Sequence, residues 1–245
     1  MGTSMENGPL SHPTGTPSMR RRHVLVTLLA GTSGALDALG FLALGGVFAS
    51  VMTGNLVLLG LGAGTRNGGL ATHAIVAIGG YVLGVAAGTA GSGSAPRPDT
   101  VGWSRRLHAV LAAELVLVVA FTVGWELVRS RSSSLAQLGL IAVAAAAMGL
   151  QSAVMRRSTG NTLSTTYLTG TLTGVVSALA GGGPVREELI GAGVLAAALG
   201  GAALSGVVLT EWPSWAPVVP LLALTGVLVV GRTLTTSSGA APDPA

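Results

Sequence analysis

Long apolar runs separated by short polar breaks occupy the chain from residue 24 to residue 234. Eight runs can be drawn, at about 24–45, 47–64, 71–91, 107–128, 136–155, 162–181, 188–210 and 216–234. A helix that crosses a bilayer needs about 20 residues, and most of the runs reach that length. Unpaired backbone groups cannot face lipid, so each run is expected to be helical. The longest polar break, 92–106, holds Pro96, Pro98 and Asp99, and a second, 129–135, holds Arg129 and Arg131. Residues 1–23 and 235–245 carry no apolar period and read as disordered tails. The rest is one transmembrane domain, with halves at about 24–128 and 136–234.

Two runs are less lipid-like than the others. Run 47–64 follows the first run across only Gly45-Gly46 and contains Ser50, Thr53, Gly54 and Asn55. Run 162–181 contains Thr162, Thr165, Thr166, Thr169, Thr171 and Thr173. Each could cross the membrane, or return to the side it left as an interrupted or re-entrant segment inside the bundle. The arginines separate these cases, because basic residues gather on the cytoplasmic side. If all eight runs cross, the arginines divide 8 against 5; if the two odd runs return, they divide 10 against 3. The expectation is an all-α polytopic bundle of six spans plus two re-entrant segments, with eight spans as the alternative. Both termini would be cytoplasmic in the six-span case. Arg20-Arg21-Arg22-His23 before the first run then acts as an anchor; that run is too long for a signal peptide and carries Asp37 in its middle.

Composition agrees with this pattern. The chain of 245 residues is 49% hydrophobic and 9% charged, with mean hydropathy +0.68. A soluble domain carries about 25% charged residues, so most of this surface must face something other than water. The 38 glycines suit helices that approach closely where lipid supplies no hydrophobic drive between them. Net charge is +4 with no lysine, and no basic stripe or recognition element points to nucleic acid. Cysteine is absent, which excludes disulfides and thiolate chemistry. His12, His23, His73 and His108 are scattered and form no helix-face metal pair, so neither metal nor cofactor is expected.

The two halves resemble each other. Met52-Thr53-Gly54-Asn55-Leu56 is similar to Leu168-Thr169-Gly170-Thr171-Leu172, and each central glycine stands 30 residues before another, Gly84 and Gly200. Asp37 precedes the first motif by 16 residues and Gln151 precedes the second by 18. The ordered set points to duplication. With three spans per half the second copy is inverted, a recurring plan in secondary transporters; with four the copies are parallel.

Asp37 is the sharpest chemical signal. A carboxylate mid-span costs several kcal/mol unless paired, hydrated or protonated. It reads as a proton, cation or substrate site, or else as a structural hydrogen bond to a neighbouring helix. Gly31, Gly34 and Ala38 make a small-residue face beside it. Glu114 could share a proton with Asp37 or sit near headgroup depth. Glu126 and His73 read as interfacial. Gln151 could bond the Thr-rich segment or mark the interface. In Thr53-Gly54-Asn55 and Thr169-Gly170-Thr171, Gly permits an unwound backbone, and the hydroxyls and amide can satisfy it or line a pathway; ordinary small-residue packing is the competing reading. Trp103, Trp125, Trp212 and Trp215 lie near span ends, as an aromatic belt would.

At Gly34-Ala35-Leu36-Asp37-Ala38, Val47-Phe48 and Met52-Thr53-Gly54-Asn55 the chain resembles the YoaK-type bacterial membrane proteins, an uncharacterised family. Ala147-Met148-Gly149-Leu150-Gln151-Ser152-Ala153, followed by Thr165 to Thr173, is similar to the family's other hallmark, with Ser152 where an Asn is expected. The resemblance covers about residues 24–233 and implies an inner-membrane protein of about six helices, with no established substrate or reaction.

Two functions compete. One is a small secondary transporter or permease-like protein, with Asp37, the two Thr-Gly motifs, Glu114 and Gln151 along its pathway. The other is a non-transporting scaffold, assembly partner or sensor that docks through its small-residue faces. An enzyme is not expected, since no Ser–His or aspartate pair stands in a catalytic setting. The lipid bilayer is the first partner, with an unknown small solute or ion and a second copy of the chain as further candidates.

Overall fold

The computed structural model describes residues 17–92, 105–131, 134–159, 168–181 and 185–236. The expected tails over 1–16 and 237–245, Trp103, the 93–104 break and the first part of the Thr-rich run lie outside the described residues. Among the described residues there are eight α-helices: α1 (Pro17–Ala43), α2 (Met52–Gly64), α3 (Gly68–Ser92), α4 (Arg105–Arg131), α5 (Ser134–Thr159), α6 (Leu168–Gly181), α7 (Val185–Glu211) and α8 (Val218–Thr236), with a short 3-10 turn at Pro213–Trp215. Helix α1 starts at Pro17, so Arg20, Arg21 and Arg22 form its first turns rather than part of a disordered tail.

Six of these helices are long and apolar enough to cross a membrane: α1, α3, α4, α5, α7 and α8. Helices α2 and α6, of 13 and 14 residues, are about 20 Å long at 1.5 Å per residue and cannot cross about 30 Å of hydrocarbon.

Contacts between ends give the orientation of each span. The Trp125 indole N–H donates to Pro213 O at 2.9 Å, which puts the end of α4 beside the end of α7. Arg157 Nη1 donates to Ser92 O at 3.1 Å, which puts the end of α5 beside the end of α3. Gly231 on α8 packs against the ring of His108 at the start of α4. Gly45, just past α1, packs against the ring of His73 near the start of α3. Together with the short α4–α5 connection, these contacts bring the start of α1 and the end of α8 to one end of the bundle. Arg106, Arg156 and Arg157 share that end, and Arg66 and Arg129 lie at the other.

The two largest helix interfaces are α3 with α5 and α1 with α7. If α1–α4 exchange with α5–α8, these two interfaces exchange as well. So do α4–α5 with α8–α1 and α2–α3 with α6–α7. The close approaches match atom for atom. A Cβ on Gly149 would lie 2.3 Å from Tyr81 O, and one on Gly34 would lie 2.0 Å from Ala198 O. A Cβ on Gly84 would lie 2.1 Å from Ala146 O, and one on Gly201 would lie 2.1 Å from Gly31 O. The duplication is therefore real, and three spans per half make it inverted. The counterpart of Gly84 is Gly201 rather than Gly200, whose Cβ would meet nothing within 4 Å.

Candidate functional site

After α1 ends at Ala43, the chain reverses at Gly45 and Gly46, with φ of +93° and +74°. Only glycine adopts that backbone without strain, and at Gly45 a Cβ would also strike His73 at 2.3 Å. The chain then runs back along α1. Val47 and Ala49 pack against Gly40, and Ser50 reaches Asp37 and Ser33. Helix α2 begins there, at mid-bundle, and returns outward against α3, where Gly62 meets Ala71. Residues 44–64 are thus a re-entrant hairpin with an extended descent and a helical return. In α6, Thr171 and Val175 pack on Gly191 of α7 and Leu168 lies near Leu195 and Ala198. Helix α6 therefore also starts at mid-bundle, but it runs to the opposite end.

Asp37 holds the descent in place. Ser50 N–H donates to Asp37 Oδ1 at 2.7 Å and Ser50 Oγ–H to Oδ2 at 2.5 Å. Ser33 Oγ–H donates to Ser50 Oγ at 2.7 Å, so a chain of hydroxyls ends on the carboxylate. The N-cap of α2 is Val51, which has no capping side chain. Asp37 supplies from another helix the negative group that the positive end of α2 favours.

Asn55 is a second clamp. It is fully buried, accepts Phe48 N–H on Oδ1 at 2.9 Å and donates from Nδ2 to Phe48 O at 2.7 Å. The amide pairs both backbone groups of one residue in an extended strand, as a neighbouring strand would. Gly54 lies under the Phe48 ring, 3.2 Å from a notional Cβ, and Thr53 is exposed. Asn55 thus spends its hydrogen bonds on structure.

The second motif is placed differently. Thr169 and Gly170 are exposed, and Thr171 is half-buried with its methyl against Gly191. Gln151 donates to Leu29 O at 3.0 Å, so it links α5 to α1 rather than marking an interface. The residue three after Gly149, matching Asp37 three after Gly34, is Ser152, which accepts Tyr81 O–H at 2.9 Å. The duplicated position is a carboxylate in one half and a hydroxyl in the other.

Glu114 takes neither of its expected places. It is fully buried on the α4 face that includes Leu111, Val118 and Phe121, and among the described residues neither oxygen has a hydrogen-bond partner. It does not reach Asp37. Trp125 is buried and tied to Pro213 rather than lying in an aromatic belt, whereas Trp212 and Trp215 are exposed.

Asp37 also borders a cleft of about 510 Å³ between α1, the re-entrant descent, α6 and α7. Val51, at the start of α2, and Leu168, at the start of α6, both line it. The positive ends of two half-length helices entering from opposite ends of the bundle thus border the space that holds the Asp37 carboxylate. Apart from Asp37 the lining side chains are apolar, with Phe41 and Phe48 stacked at 5.2 Å between ring centres. Nothing in the sequence marks Phe41 and Phe48 as a pair, since the reversal at Gly45 and Gly46 is what brings their rings together.

These features define a multi-pass membrane protein of six spans, built as an inverted repeat with two re-entrant half-helices around a carboxylate-bearing cleft. The chain belongs to the family described as "Protein of unknown function (DUF1275)", which matches residues 25–230. It is 31% identical over 160 residues to the "UPF0700 transmembrane protein YoaK" of Bacillus subtilis (strain 168), covering 65% of this chain and 68% of that protein. No solved structure matches.

Proposed function

We propose that this protein is a small secondary transporter, a permease-like carrier of a small solute or ion, with the Asp37 cleft as its central site. The observation that carries this reading is the convergence of α2 and α6 at mid-bundle, with both N-terminal ends and Asp37 on one cleft. Half-helices of inverted repeats that meet at the midplane form the substrate sites of many secondary transporters. In this reading the protein lies in the bacterial inner membrane with both termini cytoplasmic, as the gathering of arginines at one end of the bundle supports. It carries out no enzymatic reaction. The scaffold alternative has less to use on this face, because Gly34 packs directly against the α7 backbone.

The test is flux into proteoliposomes that contain the purified protein, over a panel of cations, anions and neutral solutes, with and without a pH gradient. Saturable uptake of a panel member is expected, reduced at least about tenfold by Asp37→Asn in protein that keeps its wild-type melting temperature. Absence of saturable flux across the whole panel would overturn the transport reading.

A further inference from the structure

The cleft also indicates a class of substrate, an inference that rests on the transport reading. Asp37 receives two hydrogen bonds from Ser50, but among the described residues no cationic side chain pairs with it. The donors order the carboxylate without neutralising it, and a lone charge within a span is costly until a counter-charge arrives. Among the described residues, the remaining wall, which includes Phe41, Leu42, Phe48, Val51 and Leu168, offers no further side-chain oxygen. A small metal ion needs about six oxygen ligands and would lose its water without replacement. An anion would meet the like charge of Asp37. A neutral sugar would find few polar groups to satisfy its hydroxyls. A weakly hydrated cation carried on an apolar body meets none of these obstacles, and the full charge of Asp37 outweighs the partial positive charges of the α2 and α6 ends that share the cleft. Its charge would face Asp37, and its body would lie against Phe41 and Phe48, aromatic rings of the kind that attract cations.

We propose that the Asp37 cleft binds lipophilic monovalent organic cations of the quaternary ammonium or aryl-phosphonium class. The test is equilibrium binding of radiolabelled tetraphenylphosphonium to the full chain in detergent, with competition by benzyltrimethylammonium and by neopentylbenzene, its uncharged analogue of the same shape. Saturable binding is expected, displaced by the ammonium compound and not by the hydrocarbon. Asp37→Asn should weaken it at least about tenfold, and Phe41→Leu about three- to tenfold. Asp37→Asn also loosens the hairpin, so Ala38→Leu, which fills the cleft and leaves the Ser50 bonds intact, is the second variant and should abolish binding. No saturable binding by the wild type, equal displacement by the hydrocarbon, or unchanged binding in Ala38→Leu would each overturn the proposal. Flux separates the two readings. Transport of another solute without cation binding removes this inference and keeps the transporter; cation binding without flux keeps the site and removes the transporter.

Discussion

Replacing Gly34 by Ala adds one carbon to a helix, and in isolation that favours the helix by about 1 kcal/mol. Here the new Cβ would lie 2.0 Å from Ala198 O, 2.8 Å from its carbonyl carbon and 3.0 Å from its Cα. All three are backbone atoms, so no side chain can turn away, and α1 and α7 must separate by more than an ångström to reach ordinary contact. Helices in lipid are held together by packing rather than by exclusion of water, so the loss spreads along one of the two largest interfaces of the bundle. Overpacking of this kind costs about 1–3 kcal/mol in soluble cores, and a backbone clash belongs at or above the upper end. Net of propensity, we expect about 2–3 kcal/mol of destabilisation for Gly34→Ala. Its symmetry mate Gly149→Ala, with 2.3 Å to Tyr81 O, should behave alike. Gly200→Ala, one residue from the crossing and with nothing within 4 Å, should be neutral or slightly stabilising. The assay is thermal unfolding of the three variants in one detergent, with monodispersity as the check on fold. If Gly34→Ala and Gly149→Ala melt with Gly200→Ala, the close crossings do not exist and the inverted-repeat geometry falls with them.

Three further expectations follow from the same geometry. Asn55→Ala leaves Phe48 N–H and C=O buried without partners, at about 2–4 kcal/mol; a cysteine at Val47 should then label faster, and an unchanged labelling rate would contradict the clamp. Glu114→Leu removes a buried carboxyl that has no partner among the described residues and should stabilise the protein by about 1–3 kcal/mol, read as a higher melting temperature; a lower one would show that the carboxyl is satisfied or used. Single cysteines at Arg66 and Glu126 should label from one side of the membrane and those at Arg106, Arg157 and Arg186 from the other; labelling of Arg186 from the Arg66 side would restore eight spans.

The membrane class, the span boundaries and the existence of a repeat could all be read from the chain. They rest on local quantities: apolar length against bilayer thickness, breaks rich in Pro, Ser and Arg, and recurrence of the Thr-Gly motif. The arginine distribution even favoured six spans, because it registers the side of each loop without knowledge of contacts. Tertiary structure alone decided what the polar residues do. Asp37 and Asn55 looked alike as candidate pathway groups, yet Asn55 pairs both backbone groups of Phe48, while Asp37 holds Ser50 just before α2 and still borders a cleft. Gln151 seemed the repeat counterpart of Asp37 by spacing, but the helix crossing makes Ser152 that counterpart. Glu114 seemed able to reach Asp37, but it lies on a different helix face with no partner. The physical reason is common to all four residues. Burial and hydrophobic length follow from the order of residues along one helix. Hydrogen-bond pairing depends on the rotation and crossing point of two helices, and in this bundle those are set by glycines that allow backbone to touch backbone.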